Sequence, residues 1–337
     1  MKKKFKYNVA IMGATGAVGE EILKILEQRN FPVDRLALLA SSRSVGKKYK
    51  FKGRELAVEE LKENSFTGID IVLASAGGSV SKKFAPLAVK AGAIVVDNTS
   101  AYRMDPKVPL VIPEINAKDI QKHKGIIANP NCSTIIMLVP VYPIHKNNRV
   151  KRIIVSTYQA ASGAGAKAMV ELETQARDVL EKRPVKKEIF PHQIAFNLFS
   201  HNSAIKDDGY NEEEIKMVKE TKKIFHDEKI KISPTTVRVP VFRAHSEAIC
   251  LELERKPDLA KIRKILANAP GVKIVDDREK NYFPMPLEAS GQDDVLVGRI
   301  REDISNPKGL WLFVSGDQLR KGAALNAVQI AEILCRS

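Results

Sequence analysis

The stretch that most restricts what this chain can become lies near its start. "YNVAIMG" is an apolar run, "GATGAVG" spaces Gly13, Gly16 and Gly19 every third residue, and "EEILKILEQR" sets Ile22, Leu23, Ile25 and Leu26 on one helical face. Strand, glycine turn and helix in that order predict a dinucleotide-binding unit. Glycines allow a tight turn and let the backbone approach a pyrophosphate, whose charge suits the open N–H groups at a helix start.

The same texture continues for about 130 residues. "RLALLAS", "DIVLASAG", "AIVVDNTS" and "PLVIPEIN" are short apolar runs, and "VSKKFAPLAVKAG" reads as a helix despite Pro86. Alternation of this kind predicts a parallel, doubly wound α/β sheet. The end of the second strand should meet the 2′ position of the cofactor, where NAD enzymes place an acidic residue. Here stands "ASSRSVGKK": Arg43 can pair with a 2′-phosphate, Ser41 and Ser44 can hydrogen-bond it, and no carboxylate follows until Glu55. NADP is therefore expected over NAD.

After about residue 150 the pattern changes to an α+β one. "VKRIIVSTYQAASGAG" reads as a strand entering a small-residue loop, "AKAMVELETQARDVLEK" and "NEEEIKMVKETKKIF" as helices, and residues 184–210 as loop. "ISPTTVRVPVF", "HSEAICLELE", "VLVGRIRED" and "GLWLFVSGD" read as strands of a mixed or antiparallel sheet, and "LRKGAALNAVQIAEILC" as a closing helix. The expected division is a Rossmann-type domain over 1–131, completed by the helix in 318–337, and a second domain over 132–317.

With 337 residues, 44% apolar and 28% charged, the chain has the make-up of a soluble globular protein. No apolar run reaches the roughly 18 residues of a membrane span, and the basic lead "MKKKFKYNVAIMG" is too short and wrongly flanked for a signal peptide. The cytoplasm is expected. The net charge of +15 admits a nucleic-acid partner or anionic small molecules. The lysines come in short pairs without a basic block and aromatics are only 6%, so nucleic acid is not expected. Three distant cysteines and six scattered histidines match no disulfide framework or metal spacing, so no metal is expected.

Cys132, in "NPNCSTIIMLVP", differs from Cys250 and Cys335. Pro130 holds Asn129 extended, and Ser133 and Thr134 open an apolar run that reads as a buried helix limited by Pro140. A cysteine there meets the positive end of the helix dipole, which depresses a thiol below its ordinary value of about 8.5. Cys250 and Cys335 read as packed cysteines in a strand and a helix. A nicotinamide fold with a thiolate points to aldehyde oxidation through a thioester. In "VRVPVFRAHSE", Arg238 and Arg243 can bind anions, and an imidazole of near-neutral pKa at His245 can move the proton. Seven residues apart, Arg238 and His245 would face opposite ways on one regular strand, and Pro240 argues against regularity. "NEEEIK" puts Glu213 and Lys216 on one helix face, an arrangement an ordinary surface ion pair also makes.

Together "GATGAVG", "SSRSVGKK", "DNTSAYRMD", "VIPEIN", "NPNCST", "TYQAASGAG", "NEEEIK", "VRVPVFRAHSE" and "LRKGAALNAVQIAE" resemble the aspartate-β-semialdehyde dehydrogenase family over essentially the full length. The resemblance implies NADP-dependent, phosphate-linked interconversion of aspartyl phosphate and aspartate semialdehyde in lysine, threonine and methionine biosynthesis. It implies Cys132 as nucleophile, Gln159 as an orienting residue, and His245 as acid/base. Arg238 would bind the substrate carboxylate and Glu213 its ammonium, with the Glu212–Glu214 register open. Arg103, Asn131 and Lys216 would bind phosphate. Thr15, Gly16, Ala17, Val18, Arg43, Ser44, Ser162 and Gly163 would contact NADP. Gln318 replaces an asparagine usual in the family, for which a retained NADP contact of altered geometry is expected. A homodimer or a tetramer joined through the second domain is also implied. Two rivals are a reductase of a different acyl phosphate or acyl-CoA, and a non-catalytic nucleotide-binding relative.

Overall fold

The computed structural model describes residues 4–336; the first three residues of the basic lead, and Ser337, lie outside the described part. The chain divides into two compact units, one running to Asn131 and resuming at Ala323, the other Cys132–Gly322.

The first unit contains β1 (Tyr7–Met12), α1 (Ala17–Gln28), β2 (Val33–Ala40), β3 (Lys48–Phe51), β4 (Arg54–Glu60), β5 (Ile71–Ala74), α2 (Gly78–Lys90), β6 (Ile94–Asp97), the single turn α3 (Pro113–Asn116) and β7 (Ile126–Ala128). The second contains α4 (Cys132–Asn147), β8 (Val150–Gln159), α5 (Ala166–Leu180), β9 (Phe199–Ser200), α6 (Glu212–Phe225), β10 (Lys231–Arg238), β11 (His245–Leu253), α7 (Leu259–Ala267), β12 (Val272–Ile274), the short α8 (Pro286–Ala289), β13 (Val295–Asp303) and β14 (Asn306–Gly316). A π-helical turn over Arg320–Ala324 leads into α9 (Leu325–Arg336), all of which belongs to the first unit.

The first sheet has the order β3-β4-β2-β1-β5-β6-β7 and is parallel except for the β3–β4 hairpin. The chain leaves β1 towards β2 and returns on its other side at β5, so the loop after β1 lies at the point where winding reverses. Apolar residues of α1 and α9 cover one face, around Ile22, Ile25, Val328 and Ile330, and Ala85 and Ala88 of α2 help cover the other. The hairpin was not anticipated, and "PLVIPEIN" forms a single β-bridge at Leu110 and the turn α3 rather than a strand.

The second sheet is mixed, in the order β12-β13-β14-β11-β8-β10-β9. Helix α4 is buried on every side from Ser133 to Val141 and runs on through Pro140 and Pro143. Pro140 was expected to limit it. A proline removes one helical hydrogen bond and crowds the preceding turn, but enclosure of Ser133–Val141 in core outweighs that cost.

Candidate active site

In the first unit the glycine loop is shaped by what it lacks. Gly13 sits at φ +93°, and a Cβ there would lie 2.8 Å from the backbone of Ser75 and Ala76. At Gly19 a Cβ would run into the Gly13 carbonyl oxygen. Gly16, in extended conformation, would bring a Cβ only within 3.5 Å of that oxygen. As N-cap of α1 it offers no side-chain acceptor, and Ala17 and Val18 follow in the first turn. The Thr15 and Ser44 hydroxyls are 3.3 Å apart, which joins this loop to the turn after β2 carrying exposed Ser41 and Arg43. Backbone N–H groups, hydroxyls and one guanidinium, with no carboxylate among residues 41–44, suit the phosphates of a dinucleotide.

Polar side chains fix the segment after β7. Arg103 donates from Nε to the Asn129 carbonyl (2.9 Å) and from Nη2 to that of Asn98 (2.8 Å). The Asn129 amide donates to Asn98 Oδ1 (2.9 Å) and accepts from Asn326 (2.6 Å). Asn131 follows, itself buried. Asn98, Asn129 and Asn326 were missed in the sequence; a buried amide is recognised by its partners, and those are far away in the chain.

In the second unit Cys132 is the first residue of α4. Burial pushes the Cys250 and Cys335 thiols up to about 11, well away from thiolate character. The chemistry around Cys132 comes from adjacent strand ends. Strand β10 pairs in parallel with β8, putting Arg238 level with Gln159, and β11 pairs antiparallel with β8 from Ser246 opposite Tyr158. Arg238 therefore ends the strand on one side of β8, and His245 begins the strand on the other. The turn between them carries Ala244 at φ +70°, a strained value for a residue with a side chain. The sequence problem of a seven-residue offset thus disappears, because the two residues never share a strand.

The cluster is closely bonded. Gln159 donates from Nε2 to Ser133 Oγ (2.9 Å). The Ala160 peptide faces both neighbours: its oxygen accepts from Arg238 Nη1 (3.0 Å) and its N–H donates to His245 Nδ1 (3.0 Å). That backbone donor fixes the tautomer of neutral His245, with its proton on Nε2. His245 is fully buried, and burial, reinforced by the charge of Arg238, lowers its pKa to about 3. The near-neutral imidazole expected from the sequence is thus a neutral ring. Burial also lowers the Arg238 pKa, opposed by the charges of Glu213 and Cys132. Its Nε has no partner, and Phe190 lies under the guanidinium at 5.6 Å.

Gly163 fits between the two: a Cβ there would come 3.0 Å from both Arg238 Nη1 and His245 Cε1. Ser162 accepts from the Gln318 amide, whose oxygen takes the Ala244 N–H (2.8 Å), so both ends of Gln318 are engaged within the protein. Arg243 instead donates to buried Asp317 (2.7 Å). Gly322 would bring a Cβ 3.0 Å from that of Cys132.

Of the three glutamates opening α6, Glu212 is exposed and Glu214 closes a capping box with Asn211 while accepting the Thr236 N–H. Glu213 is buried, 3.0 Å from Lys216, and its charge acts on Arg238, His201 and His245. The Asn211-x-x-Glu214 spacing is a capping-box signal that could have settled the register. His201, also missed, lies 2.7 Å from Arg238 Nη2. Glu247, two residues beyond His245 on the same strand face, is fully buried with neither carboxylate oxygen bonded, and burial raises its pKa well above the usual range. Among the described residues no group of three or more His, Cys, Asp or Glu could hold a metal ion, and no helix is long and apolar enough to cross a membrane.

Residues 8–123 match the family described as semialdehyde dehydrogenase, NAD binding domain, and residues 141–321 match semialdehyde dehydrogenase, dimerisation domain. The aspartate-semialdehyde dehydrogenase of Synechocystis sp. is 59% identical over 97% of this chain and 96% of its own. The structure of Vibrio cholerae aspartate semialdehyde dehydrogenase II complexed with ASA superposes with a TM-score of 0.97 at 46% identity, covering 99% of each chain. That of the Candida albicans enzyme with NADP gives 0.76 at 25% identity, over 98% of each.

Proposed function

The chain belongs to the aspartate-semialdehyde dehydrogenase family, and from that premise we propose that it interconverts L-4-aspartyl phosphate and L-aspartate 4-semialdehyde, with NADP and phosphate, through a thioester on Cys132. The observation that carries the reading is the cluster of Arg238, Gln159, His245 and Glu213 in the unit that α4 opens with Cys132. In biosynthesis the flow runs towards the semialdehyde, a precursor of lysine, threonine and methionine.

The Cys132 thiolate is favoured by the start of α4 and by the positive charge of Arg238. It attacks the C4 carbonyl. Arg238, stacked on Phe190, offers the unpartnered Nε and remaining N–H groups to the α-carboxylate, a match of planar fork to planar anion. Glu213 holds the α-ammonium, and Gln159, tied to Ser133, orients the reacting group.

Of the acid/base role expected of His245, the bonding supports the donor half, and Nε2 is its working atom. A second ring proton, on Nδ1, would confront the Ala160 N–H. The ring thus acts as a neutral donor to the oxygen that gains charge at the tetrahedral stage, where a buried, fixed donor is most effective. Arg103, Asn131 and Lys216 bind the phosphate that releases the acyl group.

Gly13, Thr15, Gly16, Ala17, Val18, Ser41, Arg43, Ser44, Ser162 and Gly163 hold NADP; the Arg43 turn and the Candida enzyme's NADP support the phosphorylated form. When bound, the nicotinamide exchanges a hydride with the substrate carbon. Gln318 acts on that site through Ser162. The division of labour is a cofactor domain over 1–131 with the closing helix, and a catalytic and dimerisation domain over the remainder. The protein works in the cytoplasm as a homodimer joined through the second unit, a reading the matched dimerisation domain supports. Light scattering separates this from a tetramer.

The direct test is reduction of NADP by L-aspartate semialdehyde with and without phosphate. Phosphate-dependent turnover, with NADP preferred to NAD, is expected. Turnover indifferent to phosphate, or confined to the glutamyl homologue or acyl-CoA, overturns the reading.

A further inference from the structure

We propose that His201 is a positioning residue that sets the angle of the Arg238 guanidinium, and so decides how tightly the site grips a substrate carrying an α-carboxylate. This rests on the assignment of Arg238 to that carboxylate.

The placement follows from backbone pairing at a sheet edge. Strand β9 runs antiparallel to β10, with Phe199 opposite Arg238 and Ser200 opposite Val237. The ladder extends one residue further, because the His201 N–H donates to the Thr236 carbonyl (2.9 Å). His201 is thus opposite Thr236, and residues two apart on a strand share a face. His201 and Arg238 are therefore diagonal neighbours on one side of the sheet, within reach of long side chains.

Arg238 Nη2 lies 2.7 Å from His201 Nε2. A guanidinium can only donate, so that nitrogen must accept. The ring proton then sits on Nδ1, 3.1 Å from Ser203 Oγ. The Ser203 N–H also points at Nδ1, at 3.2 Å, a longer and weaker claim than that of the cation. Ser203 Oγ in turn accepts the Glu213 N–H (3.2 Å). Burial, together with the nearby Arg238 charge and against the attraction of Glu213, lowers the His201 pKa to about 4, so the ring stays neutral. Arg238 is thereby fastened at two points, Nη1 to the Ala160 carbonyl and Nη2 to His201, which leaves the Nε edge to meet an anion. A guanidinium held at Nη1 alone can turn about its long axis and present its edge at the wrong angle.

Three substitutions separate this role from mere packing. His201→Gln keeps an amide oxygen where Nε2 stood; His201→Asn reaches Ser203 but falls short of Arg238; His201→Ala removes both bonds. The Asn and Ala proteins should raise the KM for L-aspartate semialdehyde about tenfold to a hundredfold, the range set by one charge-assisted hydrogen bond. Their kcat should stay within about threefold and their KM for NADP should be unchanged, while Gln should recover most of the loss. Against 3-aminopropanal, which is the semialdehyde without its carboxylate, all four proteins should behave alike. Arg238→Lys, measured in parallel, tests the underlying assignment. If it raises the semialdehyde KM and His201→Asn does not, the positioning role is wrong; if neither moves KM, the carboxylate assignment of Arg238 fails. Equal penalties for both substrates would show His201 to be structural only and would overturn the proposal.

Discussion

The glycine loop after β1 and the strand ends around β8 are both proposed places for charged ligands, and they are built by opposite means. The loop works by subtraction: bare backbone, a helix start, and side chains excluded at Gly13 and Gly19. The strand ends work by interlock, a run of polar contacts from Lys216 to the Glu213 carboxylate, from the Glu213 N–H to Ser203, and on through His201 and Arg238 to the Ala160 peptide and His245. A backbone site should therefore tolerate many side-chain changes and fail abruptly when a Cβ is added where backbone is in the way, at Gly13 or Gly19. An interlocked site should pass a local change along to its neighbours.

The largest effect tests the second unit at its proposed nucleophile. Cys132→Ser should lower kcat by on the order of 10⁴ or more with an unchanged thermal midpoint; near-normal turnover would remove Cys132 from the chemistry. The sharpest test of the loop is a pair of substitutions. Gly13→Ala combines strained φ with a collision against Ser75 and Ala76, and should abolish measurable dinucleotide binding in a fluorescence titration, whereas Gly16→Ala should bind within about threefold of the parent. Equal behaviour of the two would break the comparison. Next, Arg43→Ala should narrow the ratio of kcat/KM for NADP over NAD by about tenfold to a hundredfold, with little effect on aspartate semialdehyde.

The smallest effect concerns stability. Glu247 is protonated in the fold over a range where the unfolded chain is ionised, so its contribution is lost as pH rises above about 4.5. His245 and His201 have lowered values, so the unfolded chain binds more protons between about 3–4 and 6.5, and their contribution is lost as pH falls through that window. Glu247→Gln should raise the unfolding free energy from urea titration at pH 8 more than at pH 5, by about 1 kcal/mol. The reverse order would mean that Glu247 is ionised in place.

The two regions also differ in how far they could be read from the chain. The loop is local: strand, glycines and helix lie within residues 7–28, and the order alone indicated the turn. The start of α4 at Cys132 was legible for the same reason, since Pro130 and the polar residues after it mark a boundary. The strand ends were not. That Arg238 and His245 flank one residue depends on β8 entering the sheet between β10 and β11, a pairing between residues about 80 positions apart. His201 stood in a stretch without periodicity and became visible only once β9 laid it along β10. The neutral state of His245 followed from enclosure, which one strand's pattern cannot report.

The peptide of Ala160 has a consequence of its own. Its oxygen restrains the guanidinium and its nitrogen restrains the imidazole, so the span between these two groups is gauged by the covalent frame of a single amide rather than by loose packing. Such a gauge does not stretch to suit a longer molecule. If Arg238 seats the carboxylate as proposed, an acid with one extra methylene would carry its carbonyl past the imidazole, and chain length would be judged by a rigid plate that no side-chain substitution at Ala160 itself would bend.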